Sequence, residues 1–313
     1  MLAYALRRVA TVVPVMLIVA TFVFLVMRLG ASDPAAVMAG ESATPDQLAA
    51  IRAQYGFDQP IVVQLLRWLG QLLRLDLGVS IYTGLPVSQL IAQRLEATLS
   101  LAAFAMIFAV CISVPLGTLA AARAGGWIDR AVMVFAVSTF SFPVFLIAYV
   151  LVLVFALQLG WFPVQGFRPL SEGVGPYLYY LVLPSVSLGL GFAALLARIT
   201  RATVLDTLGQ DFIRTARAKG LSGGRVLVRH ALRNAAVPIT TVIGLGVAGL
   251  ISGVVITETV FALPGIGRLT VDGILNRDYP LVQGCVLFFS MVYVLVNLAV
   301  DLVYGLLDPR IRY

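Results

Sequence analysis

The chain has 313 residues, of which 60% are hydrophobic and 12% charged, with a mean hydropathy of +0.97. Soluble domains carry about 25% charged residues, so this composition excludes an ordinary soluble protein and describes a polytopic membrane protein. Long uncharged runs, rather than short alternating strands, make it helical, and the net charge of +7 acquires meaning only from where the cations lie.

Val9 to Met27 is the first uncharged run, nineteen residues bracketed by Arg7, Arg8 and Arg28, with Pro14 inside it. Such a stretch alone would suit a signal peptide. Five later spans, and no cleavage-like site before the next helix, predict an uncleaved first transmembrane helix. Gly30 to Glu96 is a long polar segment predicted to carry short helices of its own. Thr44-Pro45-Asp46-Gln47 reads as an N-cap, a proline at the first helical position and a glutamine closing a capping box. A second helix is predicted from Pro60, with Ile61, Leu65, Trp68, Leu69 and Leu72 on one face and Gln64, Arg67, Gln71 and Arg74 opposite. This amphipathic pattern suits a helix in the headgroup layer or one packed on the bundle, and packing is the commoner fate.

The later runs are delimited by charges. Ala97 to Ala122 is the second span. Ala131 to Phe167 is thirty-seven residues without a charge, too long for one span of roughly 20 residues; it predicts one helix to about Leu159, then a surface turn at Gly160-Trp161-Phe162-Pro163 with Trp161 as an interface anchor. Ser138, Ser141, Phe142 and Pro143 form a polar-aromatic break in that third span and are the candidate pathway residues, although helix packing explains them equally well. Gly173 to Ala197, Asn234 to Thr257 and Tyr279 to Val300 complete six spans. Cys111 and Cys285 both lie in apolar runs, where a small hydrophobe is the ordinary role, so no disulfide framework or thiol metal site is implied.

Six spans place both termini on one side of the membrane. That side, comprising the termini and the second and fourth loops, holds 14 of the 22 Lys/Arg and 5 of the 15 acids. By the positive-inside rule it is the cytoplasmic side. Eight of those cations fall between Arg198 and Arg233, against Asp206 and Asp211. Within this loop Asp211 to Lys219 predicts a short helix stopped by Gly220, and Gly224 to Asn234 a second, basic helical piece. Nucleic acid is a poor partner for a short loop at a membrane surface, which offers neither a groove-sized element nor a stacking platform.

The wording of this loop carries a resemblance. RTARAKG at Arg214 to Gly220 resembles the E-A-A-x-x-x-G coupling motif of ABC importer membrane subunits, with Arg214 and Thr215 in place of Glu and Ala while Ala216 and Gly220 fit. Followed by RHALRNA at Arg229 to Ala235, it is similar to the dipeptide/oligopeptide/nickel-type branch, in its first-permease family. DPAxxxxG at Asp33 to Gly40, LDLGVS at Leu75 to Ser80, ETVFALPGIGRL at Glu258 to Leu269 and VNLAVDLVYGLLDPRIR at Val296 to Arg312 extend the likeness over nearly the whole chain, most strongly from Leu95 onward.

The resemblance implies an all-α fold of six transmembrane helices, the type I importer permease fold, with a long external loop carrying amphipathic helices. Residues 1–93 would hold the first span and external loop, 94–305 the five-helix core with the coupling loop at 198–233, and 306–313 a cytoplasmic tail. It further implies residence in the bacterial inner membrane, a second homologous permease, two cytoplasmic ATPase subunits and an extracytoplasmic solute-binding protein. Asp211, Arg214, Thr215, Ala216, Arg217, Lys219 and Gly220 would couple to the ATPase. Glu258, Phe261, Pro264, Gly265 and Arg268 would belong to an external, partly re-entrant element near the substrate mouth, for which a merely structural hairpin is an equal alternative; Pro264 to Gly267 reads as its turn, with Arg268 to Leu275 forming one or two helical turns.

The chemistry the chain lacks agrees with that division of labour. A Walker A loop needs Gly-Lys-Ser/Thr, but the single lysine, Lys219, is followed by Gly220, so ATP and Mg²⁺ are expected on separate ATPase chains and the permease is not itself an enzyme. An ion-coupled secondary transporter is the alternative; it usually places acids, Arg or His within its spans, whereas here only Glu258 and Asp301 border them. The only histidine, His230, excludes an H-E-x-x-H zinc pair. Peptides lead as substrate through the branch, but glutathione, nickel chelates, sugars and opines use similar permeases.

Overall fold

The computed structural model describes residues 2–29, 34–39 and 43–307, and among them the side chains outside 2–10, 29, 34, 37–38, 55, 248, 252 and 300–307. Asp33 and Gly40 of the DPAxxxxG stretch, and the tail after Leu307, lie outside the described residues. The described chain is helical, its only β-type pairing being an isolated bridge between Val79 and Pro86. In order the helices are α1 (Leu2–Leu29), α2 (Pro34–Ala39), α3 (Pro45–Tyr55), α4 (Ile61–Leu73), α5 (Val87–Ala122), α6 (Trp127–Ser141), α7 (Val144–Leu151), α8 (Val174–Leu208), α9 (Asp211–Ala218), α10 (Gly223–Arg225), α11 (Arg233–Val260), α12 (Ile266–Leu275) and α13 (Tyr279–Leu307). Five are long and apolar enough to cross a membrane, or six when the bent pair formed by α6 and residues 144–158 is counted as one span.

Three spans differ from their sequence reading, each for a local reason. The third is not one helix. At Phe142-Pro143 it bends by 106°, because a residue before proline is pushed out of the helical region and Phe142 adopts an extended φ of −91° and ψ of 135°. Beyond α7 the helix widens into a π turn over Val152–Gln158. The fourth span does not stop at Ala197 but continues as α8 to Leu208, since Arg198, Arg201 and Asp206 are polar without being helix breakers. The basic piece at Gly224 is no separate helix either. α10 passes through a π turn at Val226–Leu232 directly into α11.

The chain folds into two compact units. In the first, residues 97–264 with the end of α13, α8 is the central helix, burying Leu181, Leu188, Phe192, Leu196 and Val204 along one core. α11 approaches it closely: a Cβ on Gly246 would lie 2.0 Å from the Phe192 ring, and one on Gly253 2.5 Å from Leu188 Cδ1. Gly249, on the same helix, meets no atom within 4 Å, so the close approach is made at Gly246 and Gly253. The turn after the third span is tied down in the same unit. Trp161, exposed and with its ring tilted at 46° to that of Phe155, donates its backbone N–H to Phe155 O at 2.8 Å. Gly166 N–H and the Gln165 amide donate to Phe261 O and Val260 O, satisfying carbonyls that the end of α11 leaves unpaired.

The second unit comprises residues 2–96 and 265–294. Its core is Val87, Leu90, Ile91, Ile266, Leu269, Leu281 and Cys285. The predicted capping box opens α3: Gln47 N–H donates to Thr44 Oγ1, and Thr44 N–H to Gln47 Oε1. Buried Asp278 caps the start of α13, accepting from Leu281 N–H at 3.3 Å, and also receives the Ser80 hydroxyl and the N–H groups of Ile81 and Tyr82. That carboxylate thus fastens the LDLGVS turn to α13. α12 begins at Ile266 rather than Arg268, drawn back by the buried Ile266 and Gly267.

Candidate functional site

The basic loop forms a capped knob. α9 begins with Asp211 in its first turn, where a carboxylate suits the helix N-terminus, and ends in a Schellman motif. Gly220, at φ +79°, donates its N–H to Arg217 O at 2.9 Å, and Leu221 N–H donates to Ala216 O at 3.3 Å. Two faces result. Ile213 and Ala216, one turn apart, are buried in the core with Val204, Val226 and Ala231, while Leu208, Leu221 and Leu227 pack at its edge. Arg214, Thr215, Arg217 and Lys219 are exposed on the other side. Arg214 reaches Asp211 at 3.2 Å, but both side chains are largely exposed, so that pair contributes at most a few tenths of a kcal/mol. Among the described residues the side chains of Arg217 and Lys219 have no hydrogen-bond or ion-pair partner. An apolar heel therefore holds α9 in place, and its outer face offers free guanidinium and ammonium groups for charge-assisted bonds to carboxylates.

The base of the knob is held by residues the sequence did not single out. Asp129, in the first turn of α6 and 4% exposed, receives Arg201 of α8 in a bidentate ion pair: Nε reaches Oδ1, and Nη2 reaches Oδ2 at 2.7 Å. Gly125 N–H adds a third donor at 2.9 Å. The pair ties the loop between the second and third spans to α8 ten residues before α9 begins. Its only sequence signal is an acid just after a Gly-Gly turn, with no hint of a partner 72 positions away.

The other singled-out residues lie elsewhere. Ser138, Ser141, Phe142 and Pro143 are exposed around the break between α6 and α7, with the Ser141 hydroxyl donating to Val137 O at 2.8 Å. Glu258 and Phe261 are buried in the first unit, where Thr98 Oγ1 donates to Glu258 Oε1 at 2.6 Å; Pro264 is exposed. Gly265 and Arg268 belong to the second unit, Gly265 buried as the N-cap of α12 and Arg268 half-buried. His230 lies half-buried in the π turn leading into α11.

Five helices long and apolar enough to cross a membrane, six spans when the bent pair is counted as one, and a cationic capped knob between α8 and α11 describe a multi-pass membrane protein. The chain belongs to the binding-protein-dependent transport system inner membrane component family, which its residues 113–313 match, while residues 1–102 match the N-terminal family of the same membrane components. It is 50% identical over 310 residues, 99% of each chain, to a probable peptide ABC transporter permease of Sinorhizobium fredii. It is 45% identical to a putative peptide transport system permease of Brucella abortus and 42% identical to the glutathione transport system permease GsiC of Salmonella paratyphi A, each over 100% of both chains. An inward-facing structure of the MetNI methionine ABC transporter shares the fold, with a TM-score of 0.60 at 17% identity over 70% of this chain and 97% of that one. The protein is thus a permease subunit of a binding-protein-dependent ABC importer, a family of inner membrane components.

Proposed function

We propose that this permease forms half of the pathway for peptides or similar small solutes such as glutathione, the cargo named for its relatives at 42–50% identity. A second homologous permease would complete the pathway, and an extracytoplasmic binding protein would deliver the solute. Two cytoplasmic ATPase subunits would bind ATP and Mg²⁺. Both termini would be cytoplasmic, a reading the distribution of cations supports, with residues 1–93, 94–305 and 306–313 forming the N-terminal, core and tail regions.

The observation that carries the coupling role is the knob itself: a two-turn helix anchored by Ile213 and Ala216, capped at Gly220, with unpaired cations outward. Acidic groups on an ATPase would engage Arg214, Arg217 and Lys219. Closure of the ATPases would then move Asp211 to Gly220 as a lever and bias the spans between inward- and outward-open states. Ser138, Ser141, Phe142 and Pro143 sit at the sharp break of the third span, where irregular backbone is tolerated only in protein or beside a water-filled cavity, which favours a place along the pathway. The segment at Glu258, Phe261, Pro264, Gly265 and Arg268 would serve the external mouth. Purification of the tagged chain from mild detergent tests the assembly: a second six-span protein and P-loop ATPases should co-purify, and recovery of this chain alone would refute it.

A further inference from the structure

The second unit contains a cleft of about 570 Å³, within the size range of small-ligand sites. Helix α4 packs through Leu65, Trp68, Leu69 and Leu72, all half-buried, with Trp68 5.5 Å from the Phe24 ring of α1. Beside Trp68, the side chains of Gln64, Arg67 and Gln71, at i, i+3 and i+7, line the cleft. The turn after α4 and the start of α13 supply the rest of its polar lining. Hydrogen bonds fix these walls. Gln64 Nε2 donates to Phe57 O and Gln59 O, and Gly78 N–H donates to Asp76 Oδ1. Buried Asp278 holds Ser80, Ile81 and Tyr82 in place.

Several polar groups lining this space have spare hydrogen-bonding capacity. Gln283, on α13 and only 7% exposed, has a side-chain amide with no hydrogen-bond partner among the described residues. Gln64 Oε1 is likewise buried and unpaired. Buried polar atoms without partners are costly, so this pair calls for a ligand that both donates and accepts. The exposed side chains of Arg67 and Gln71 also have no hydrogen-bond or ion-pair partner among the described residues. Gly56, at φ +68°, makes room for the Arg67 guanidinium, because a Cβ there would strike Nη1. Asp76 uses Oδ1 on Gly78, and its Oδ2 has no partner among the described residues. A side-chain amide complements a peptide group, donor to acceptor and acceptor to donor. A guanidinium suits a carboxylate, and a carboxylate suits an ammonium. Amides between a free cation and a free anion thus match a short zwitterionic peptide.

We propose that this cleft binds a short peptide by its backbone and its two ends. The C-terminal carboxylate lies on Arg67, the N-terminal ammonium faces Asp76, and the peptide groups pair with the amides of Gln71 and Gln283. The proposal rests on the peptide-cargo reading above, whose topology puts the cleft on the external side. It gives the permease a cargo site of its own, with Arg67 as the residue that selects a free C-terminus.

Calorimetric titration of the full-length permease, purified without a binding protein, with trialanine tests this. Trialanine has only methyl side chains, so its affinity reports the backbone and the two ends. One peptide should bind per chain. Arg67→Gln should weaken binding by roughly tenfold or more, the scale of a charge-assisted hydrogen bond. Amidating the peptide's C-terminus should cost the wild type a similar factor and cost Arg67→Gln little. Gln283→Met, of similar length, should weaken binding by roughly threefold to tenfold. Arg74→Gln, outside the cleft, should bind like wild type and controls for general charge loss. Both arginine variants should keep the wild-type unfolding profile, since Arg67 and Arg74 are exposed. No binding of trialanine would overturn the proposal. Equal binding of the amidated peptide would also overturn it, assigning the cleft to an internal segment of a protein. Uptake of labelled trialanine by intact cells tests the cargo reading separately. Uptake without binding to the permease overturns the cleft alone, whereas binding without uptake upholds the cleft and ends the peptide-cargo reading.

Discussion

Asp129→Asn preserves shape and removes the charge from the pair with Arg201. The carboxylate now receives three N–H groups: two from Arg201 and one from Gly125. An asparagine amide retains one acceptor and turns a donor toward a guanidinium. Breaking a fully buried ion pair costs about 3–5 kcal/mol. Asp129 is 6% exposed at its side chain, but Arg201 is 25% exposed, so water recovers part of the loss and about 1.5–3 kcal/mol is expected. At roughly 2–4 °C per kcal/mol for large domains, the unfolding midpoint should fall by about 3–12 °C, measured by thermal unfolding of the purified protein in detergent at fixed scan rate. Arg201→Gln should do the same, and the double variant should be less destabilised than the sum of the singles by more than ~1 kcal/mol. Single shifts below ~1 °C that simply add would refute the tether between the second loop and α8.

Two further substitutions probe the knob and the packing behind it. Gly220→Pro cannot reach φ +79°, since proline fixes φ near −65°, and it removes the N–H that closes on Arg217 O; uptake in intact cells should be abolished with membrane levels unchanged on immunoblots, and normal uptake would end the lever account. Gly246→Leu forces a side chain into Phe192, and overpacking of that kind costs about 1–3 kcal/mol, visible as a lowered unfolding midpoint. Gly249→Leu, in open space, should leave that midpoint within ~1 °C of wild type.

What was legible in the sequence was what the chain encodes locally. The Thr44–Gln47 box and the Gly220 stop depend on neighbours within a few positions and both are present; five of the six uncharged runs lie in long apolar helices and the other in the bent pair. The Pro143 break was visible as a polar-aromatic interruption, but not its 106° angle, which arises because Phe142 must leave the helical region ahead of proline. Long-range features were not legible. Asp129 and Arg201, 72 residues apart, counted only as loop charges, and Glu258 read as a border residue although it is fully buried on Thr98. The faces of α4 were also legible: Leu65, Trp68, Leu69 and Leu72 are half-buried, with Trp68 5.5 Å from the Phe24 ring, while Arg67, Gln71 and Arg74 are exposed.

The central claim, that α9 is the part an ATPase grips, is most directly tested by cross-linking. Arg217→Cys, on the exposed face of α9, should cross-link to the co-expressed ATPase in membranes, with a yield that changes on adding ATP. Ser138→Cys, in the third span, should not. Cross-linking from Ser138→Cys alone, or none from Arg217→Cys in an assembled complex, would contradict the assignment of α9 as the coupling element.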